Sequence, residues 1–170
     1  MALIRSLNEI HPEYDKTCWF AENAVIIGDV KMGNECTVWY HAVIRGDVNS
    51  IVMGDRVNVQ DHAMIHCTYQ KAKTIIGSNV SIGHRAIVHG CTLEDNTLIG
   101  MGAIVMDHAV VKEGSIVAAG AVVVENTVVE SGYIYAGIPA KKIKPVGERS
   151  AMIERIAGNY VEYAKWYAND

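Results

Sequence analysis

The chain has 170 residues, the length of one domain, and its 50% hydrophobic and 20% charged residues exclude a disordered protein. A net charge of −4 excludes a broadly basic nucleic-acid surface, so we expect no nucleic-acid partner. The longest mainly apolar run, residues 117–124, is far shorter than a membrane span. Residues 1–5 lead into no extended apolar segment, so we expect no signal peptide. We therefore expect no membrane association and a cytoplasmic location.

Branched aliphatic residues dominate the composition, with 21 Val and 19 Ile against 4 Leu. Such side chains fit a pleated surface, so we expect a β-rich protein. The 4 cysteines are widely spaced and form no CxxC motif. This spacing favours reduced structural thiols over disulfides or a cysteine zinc site.

The N-terminal half combines a non-repetitive start with an irregular repeat. Residues 1–20 show no periodicity, and we expect them to cap one open end of the fold. Residues 21–144 carry apolar residues at six-residue spacing, loosely at first, with early coils at residues 24–30 and 38–44. Residues 67–73 interrupt the pattern and predict a short outward loop.

The repeat is clearest from residue 87 onward, where every sixth residue is aliphatic and predicts an inward column. Three residues after each member comes a corner residue, usually Gly or Asn, which tolerate positive φ. This period predicts a solenoid of triangular coils of about 18 residues, roughly six to seven in number. The inward column comprises Ile87, Leu93, Ile99, Val105, Val111, Val117, Val123 and Val129.

The C-terminal residues 149–168 change period. Ile153, Ile156, Ala157 and Tyr160 recur at three- and four-residue spacing, which predicts an amphipathic helix packed along the coils or a neighbouring subunit. Residues 1–170 thus form a single domain of cap, solenoid and helix.

Three of the 7 histidines form a pattern in the repeat. His89 lies two residues after inward Ile87, and His66 lies two after Met64, so both should project the same way. His84 falls in the corner column and should point elsewhere. Three imidazoles are the open ligand set of catalytic zinc, and these three would meet most readily if one came from an adjacent subunit. Three unrelated surface histidines are the alternative.

Five segments resemble the gamma-class carbonic anhydrase family, and the resemblance extends from about residue 19 to 142. They are RGD at 45–47, NVQD at 58–61, IH at 65–66, IGHRAIVHGC at 82–91 and LIGMGA at 98–103. The resemblance implies a left-handed parallel β-helix that assembles as a homotrimer. It also implies that a metal-bound hydroxide converts carbon dioxide to bicarbonate at the trimer interfaces.

The resemblance also assigns residue roles. His66 and His89 of one subunit and His84 of the next are implied metal ligands, and Gln60 would hydrogen-bond the metal-bound solvent or bicarbonate. Zinc is the expected metal, although imidazole also suits iron(II), cobalt and nickel. The remaining implied site residues are Arg45 and Asp61, an ion pair between subunits, and Asp47, a buried acid.

The chain departs from the family's best-known members at the residues that would carry the released proton from the metal centre to solvent. Val48 stands where those members carry a glutamate, and the loop at 67–73 holds two lysines and no carboxylate, which is typical of a shorter-loop subclass. The candidates for a proton shuttle or pocket residue are His62, Tyr160 and Tyr163.

Two other functions remain open from the sequence. One is a hexapeptide acyltransferase that uses an acyl-CoA donor and a single histidine as general base. The other is a non-enzymatic trimeric scaffold in which the metal only staples the interface.

Overall fold

Short, mostly parallel strands stack coil upon coil as far as Pro145, and a helix follows. This computed structural model describes residues 1–168. The first half contains β1 (Leu3–Arg5), β2 (Glu13–Tyr14), β3 (Trp19–Phe20), β4 (Val25–Met32), β5 (Thr37–Val38), β6 (Val43–Met53), β7 (Asn58–Val59), β8 (Met64–His66), β9 (Thr74–Ile76) and β10 (Ser81–Ile82). The second half contains β11 (Ile87–His89), β12 (Thr92–Leu93), β13 (Leu98–Ile99), β14 (Ile104–Val105), β15 (Val110–Val111), β16 (Ile116–Val117), β17 (Val122–Val123), β18 (Val128–Val129), β19 (Tyr133–Ala136), β20 (Lys141–Pro145) and α1 (Ser150–Ala168).

These strands form the three faces of a triangular solenoid of about seven turns, as the repeat predicts. The helix face contains β3, β5, β7, β10, β13, β16 and β19, in that order, with β20 antiparallel at its end. The ligand face contains the first parts of β4 and β6, followed by β8, β11, β14 and β17. The third face contains the second parts of β4 and β6, followed by β9, β12, β15 and β18.

The corners between faces carry the predicted left-handed backbone. All eight predicted corner residues have φ between +54° and +72°, a region that disfavours most L residues. They are Gly90, Asn96, Gly102, His108, Gly114, Gly120, Asn126 and Gly132.

The predicted inward column is confirmed from Leu93 to Val129, whose side chains are fully buried, but its first member is wrong. Ile87 is 38% exposed and Val88 is buried in its place. The step from Val88 to Leu93 is five residues, one fewer than the repeat, because the chain turns early at Gly90. In the same way Ile65, not Met64, points inward.

Two irregularities occur where the ligand face ends. Gly28 pairs with Gly46 but Val30 pairs with Ile51, so the second strand bulges over residues 47–50. The predicted loop at 67–73 does project outward, and a bridge between Thr68 and Ala72 closes its base. Both features flank His66 and so shape its surroundings.

Helix α1 contacts β5 and β10 on the helix face, with Ile153, Ala157 and Ala164 buried against it. Their spacing is that of one helical face, as the sequence predicts. Within residues 1–168 no helix is long and apolar enough to span a bilayer. All four cysteines are unpaired, as expected.

The corrected inward column predicts the effect of truncating a valine. Val105→Ala removes fully buried methyl groups and should lower the free energy of unfolding by about 2 kcal/mol in urea titrations. Val128→Ala, at a position that is 52% exposed, should change it by less than about 0.5 kcal/mol. Equal losses at both positions would contradict the column assignment.

Candidate metal centre

His66 and His89 end adjacent strands of the ligand face and lie side by side. The two residues are direct partners in the parallel register between β8 and β11. Their rings approach so that Nδ1 of His66 is 3.1 Å from Nε2 of His89. The shared column predicted for this pair is therefore present in the structure.

A carboxylate holds one ring nitrogen of each histidine that the sequence singled out. Asp47 lies 2.9 Å from Nε2 of His66, and Asp107 lies 2.6 Å from Nδ1 of His89. Asp61 lies 2.9 Å from Nδ1 of His84. Each contact fixes the orientation of a ring and leaves its second nitrogen available for a ligand.

The carboxylates beside His66 and His89 stay ionised because their hydrogen bonds outweigh desolvation. Partial burial acts to raise the pKa of Asp47, but hydrogen bonds from His66 and Arg45 bring that pKa below its usual value. Burial likewise opposes ionisation of Asp107, whose pKa is nevertheless lowered by hydrogen bonds from Thr68 and His89. Both groups therefore accept hydrogen bonds at neutral pH.

Asp107 is not among the site residues predicted from the sequence. This residue immediately precedes the corner residue His108, just as His89 precedes the corner residue Gly90, and the two corners stack in successive coils. Alignment of the residues before each corner would have placed the carboxylate beside His89. The six-residue count reaches it as well, because Asp107 follows inward Val105 by two residues, as His89 follows Ile87.

His84 lies at the other edge of the ligand face. It immediately precedes the corner residue Arg85, after which the chain enters β11 and only then reaches His89. The prediction that His84 itself occupies a corner is wrong, because the residue with φ +60° is Arg85. His62 has φ +59° and stacks at the corner level with Arg85, whereas Asp61 is the residue level with His84.

A cavity of about 400 Å³ lies between this edge and α1. Its lining includes Gln60, His84, Tyr160 and Tyr163. Gln60 is buried, its amide donates to Asn58 at 3.0 Å, and its carbonyl oxygen accepts from the His84 backbone N–H at 3.2 Å. The structure thus brings four of the predicted site residues together.

Arg45 and Asp61 have separate partners within one chain. Arg45 donates to Asp47, and Asp61 contacts His84. An ion pair between Arg45 and Asp61 of different subunits stays a prediction.

Comparisons with known proteins identify the family. Residues 90–125 match the model described as bacterial transferase hexapeptide, six repeats. The chain is 44% identical over 150 residues to a probable carbonic anhydrase of Methanocaldococcus jannaschii, which covers 88% of this chain and 92% of that protein. The chain belongs to the gamma-class carbonic anhydrase family.

Two further relatives of this gamma-class chain extend the comparison. It is 42% identical over 163 residues to gamma carbonic anhydrase 1, mitochondrial, of Arabidopsis thaliana, a match that covers 92% of this chain but only 59% of the plant protein. The crystal structure of a hexapeptide transferase family protein from Anaplasma phagocytophilum aligns with a TM-score of 0.93 at 40% identity, covering 97% of this chain and 98% of that one. The predicted left-handed β-helix is thereby confirmed.

Carbonic anhydrase relatives imply a metal cofactor, and the donor set of this gamma-class chain fits one. Ligand nitrogens of a tetrahedral zinc centre are about 3.3 Å apart, given zinc–nitrogen bonds of about 2.0–2.1 Å. Nδ1 of His66 and Nε2 of His89, the ring nitrogens that do not contact a carboxylate, are 3.1 Å apart, which is close to this value. Within residues 1–168, one chain groups no three His, Cys, Asp or Glu side chains suited to a metal.

The contact between His89 and Asp107 predicts metal affinity. Asp107→Asn should weaken zinc binding about 10–100-fold in chelator competition, because His89 loses the carboxylate that orients its ring. Asp95→Asn is the matched control, since Asp95 also precedes a corner residue but accepts a backbone N–H from Ser78 at 2.7 Å on another edge. Similar losses in both variants would indicate general destabilisation.

Proposed function

We propose that this protein catalyses reversible hydration of carbon dioxide to bicarbonate at metal centres shared between subunits of a homotrimer. His66 and His89 of one subunit and His84 of its neighbour are the proposed ligands. The observation that supports this proposal is the carboxylate contact at each of the three imidazoles, which leaves one nitrogen available on every ring.

The preferred metal is zinc, with iron(II), cobalt and nickel as alternatives for an imidazole set. A zinc ion at this site would supply a Lewis acid that lowers the pKa of water from 15.7 to about 7. The contribution of the chain is to fix the three rings through Asp47, Asp61 and Asp107. These carboxylates also balance positive charge in the centre.

Gln60 is the proposed orienting residue for the reacting oxygen or for bicarbonate. Its side chain is held at both ends by Asn58 and the His84 backbone, so little conformational entropy is lost when it engages a substrate. It lies on the His84 side of the centre. Gln60 would therefore act across the same interface that supplies the third ligand.

Of the three predicted candidates, His62 is the proposed residue for proton transfer from the metal centre to solvent. Burial, with Asp61 and Tyr163 nearby, raises the pKa of Tyr160 to about 12, so that its hydroxyl keeps its proton at neutral pH. We assign Tyr160 and Tyr163 to the pocket wall. His62 is exposed at its corner, where its ring stacks on His41 at 4.9 Å between centroids. Imidazole suits proton transfer near neutral pH.

An outward apolar column on the ligand face supports trimer assembly. Each member precedes an inward residue, and its side chain remains partly accessible in the single chain. The column lies beside His66 and His89, where a neighbouring subunit would cover it. Its members are Val25, Val43, Met64, Ile87, Ile104 and Val122.

A hexapeptide acyltransferase is the second candidate. The family model and the Anaplasma structure carry transferase names, and the cavity beside His84 is larger than carbon dioxide requires. An acyl-CoA-dependent activity that survives metal removal would favour this alternative. A non-enzymatic scaffold predicts bound metal without turnover. The cytoplasmic location stays a prediction.

The proposed reaction predicts that purified protein contains one metal ion per chain and accelerates carbon dioxide hydration in stopped-flow assays. Chelation should abolish the acceleration, and zinc should restore it, because the nucleophile depends on the metal. Bound metal with no acceleration would reject the enzyme and leave the scaffold.

The shared centre predicts complementation between two inactive variants. His66→Ala and His84→Ala homotrimers should each lose most of their metal. Co-refolding equal amounts should restore about one quarter of the sites, where a His84→Ala chain supplies His66 and His89 and a His66→Ala chain supplies His84. Metal content and native mass spectrometry measure this fraction. Mixed trimers without recovered metal would contradict the shared centre.

A further inference from the structure

Six aromatic side chains surround a second cavity, of about 230 Å³, between the helix face and the C-terminal half of α1. The solenoid contributes two of them and the helix four. We call this feature the aromatic cage, and it consists of Trp39, Tyr40, Tyr160, Tyr163, Trp166 and Tyr167. Asp61 and His84 complete the lining of the cavity.

The rings of the aromatic cage form a continuous wall. In the order Tyr40, Tyr167, Trp39, Tyr160, Tyr163 and Trp166, successive ring centroids are 6.0, 5.6, 5.2, 5.6 and 4.9 Å apart. The first four contacts have interplanar angles of 62–85°, so neighbouring rings pack edge to face rather than stacking, and all six line the same cavity. A cation within this space would meet several rings inside the roughly 6 Å range of cation–π attraction.

The rim of the aromatic cage is open. Trp39 is buried at its floor, whereas Trp166 is 65% and Tyr167 48% exposed. Contiguous exposed aromatic surface is typical of binding sites. The solenoid and α1 each contribute part of the cavity wall, so the cavity exists only when α1 is docked against the solenoid.

The charge around the aromatic cage favours a cation. Asp61 carries a carboxylate at the cavity wall, where one of its oxygens lies 2.9 Å from Nδ1 of His84, and neither a lysine nor an arginine is among the described residues that line the cavity. The aromatic faces therefore have no positive partner within the cavity wall itself. By contrast, the Tyr133 ring, at the end of the solenoid, has the Lys142 ammonium 3.5 Å from its centroid.

We propose that the aromatic cage binds a quaternary alkylammonium group. Such a group presents a large, weakly hydrated cation whose methyl surface matches aromatic faces, while its charge complements Asp61. His84 also lines the cage, so a bound molecule would lie next to the proposed metal centre. Binding itself requires neither the metal nor turnover of carbon dioxide.

Choline and its neutral carbon isostere, 3,3-dimethylbutan-1-ol, provide the direct test. The two molecules share shape and hydroxyl group but differ in the positive charge. Calorimetric titration of the intact protein should show choline binding at least tenfold more tightly than the isostere, and tetramethylammonium should compete with choline. Equal affinities would show a merely apolar pocket, and absence of choline binding would likewise overturn the proposal.

Two single-residue variants test whether choline binds in the aromatic cage. Trp166→Leu should weaken choline binding at least fivefold, since it removes an exposed ring of the cage wall that packs against Tyr163. Tyr69→Leu, at an exposed aromatic residue in the 67–73 loop, is the matched control and should leave the affinity unchanged. Circular dichroism verifies that both variants fold. If folded Trp166→Leu binds choline unchanged, or if both variants lose affinity equally, choline binds elsewhere and the proposal is overturned. Neither result bears on carbon dioxide hydration, which the stopped-flow assay tests separately.

Discussion

The left-handed corner is the constraint on which the rest of this structure depends. A solenoid with three short strands per coil must reverse direction sharply between faces, and one residue at each corner adopts φ near +60°. Glycine and asparagine adopt this conformation at little cost, whereas His41, His62 and Arg85 adopt it against their intrinsic preference. Regular spacing of these corners lets successive strands pair in parallel and keeps one column of side chains inside.

Stacked corners bring the residues before them into register, and the protein uses these positions differently on each edge. On the edge between the third face and the helix face, side-chain oxygens of Asp55, Ser78 and Asp95 accept backbone N–H groups from the preceding coil. On the other edges the same position joins Asp61 to His84 and His89 to Asp107. A structural ladder and a candidate metal centre are therefore variants of one arrangement.

Periodicity alone predicts much of this fold because local sterics decide it. The corners from Gly90 to Gly132, the inward column after Leu93 and helix α1 all follow from residue type and spacing. Coil length is not regular, however. The early turn at Gly90 moves Val88 inward, and the residues inserted before Thr74 lengthen the coil between the corners at His62 and Arg85.

Those irregular coils carry the functional residues, which explains why the site is harder to predict than the fold. The pairing of His66 with His89 follows from a shared column, and Asp107 stands one 18-residue coil after His89, within reach of the same count. The cavity beside Gln60 and the wall of aromatic rings also require knowledge of where α1 docks, and helical periodicity does not specify that position.

The loop after His66 has an evolutionary consequence. The chain leaves the solenoid at Cys67 and returns at Thr74, and the bridge between Thr68 and Ala72 closes this excursion at its base. Because the entropic cost of lengthening a closed loop grows slowly, residues can be added or removed here with little effect on strand register. New chemical groups can thus be introduced beside His66 while the scaffold that orients the imidazoles is inherited unchanged.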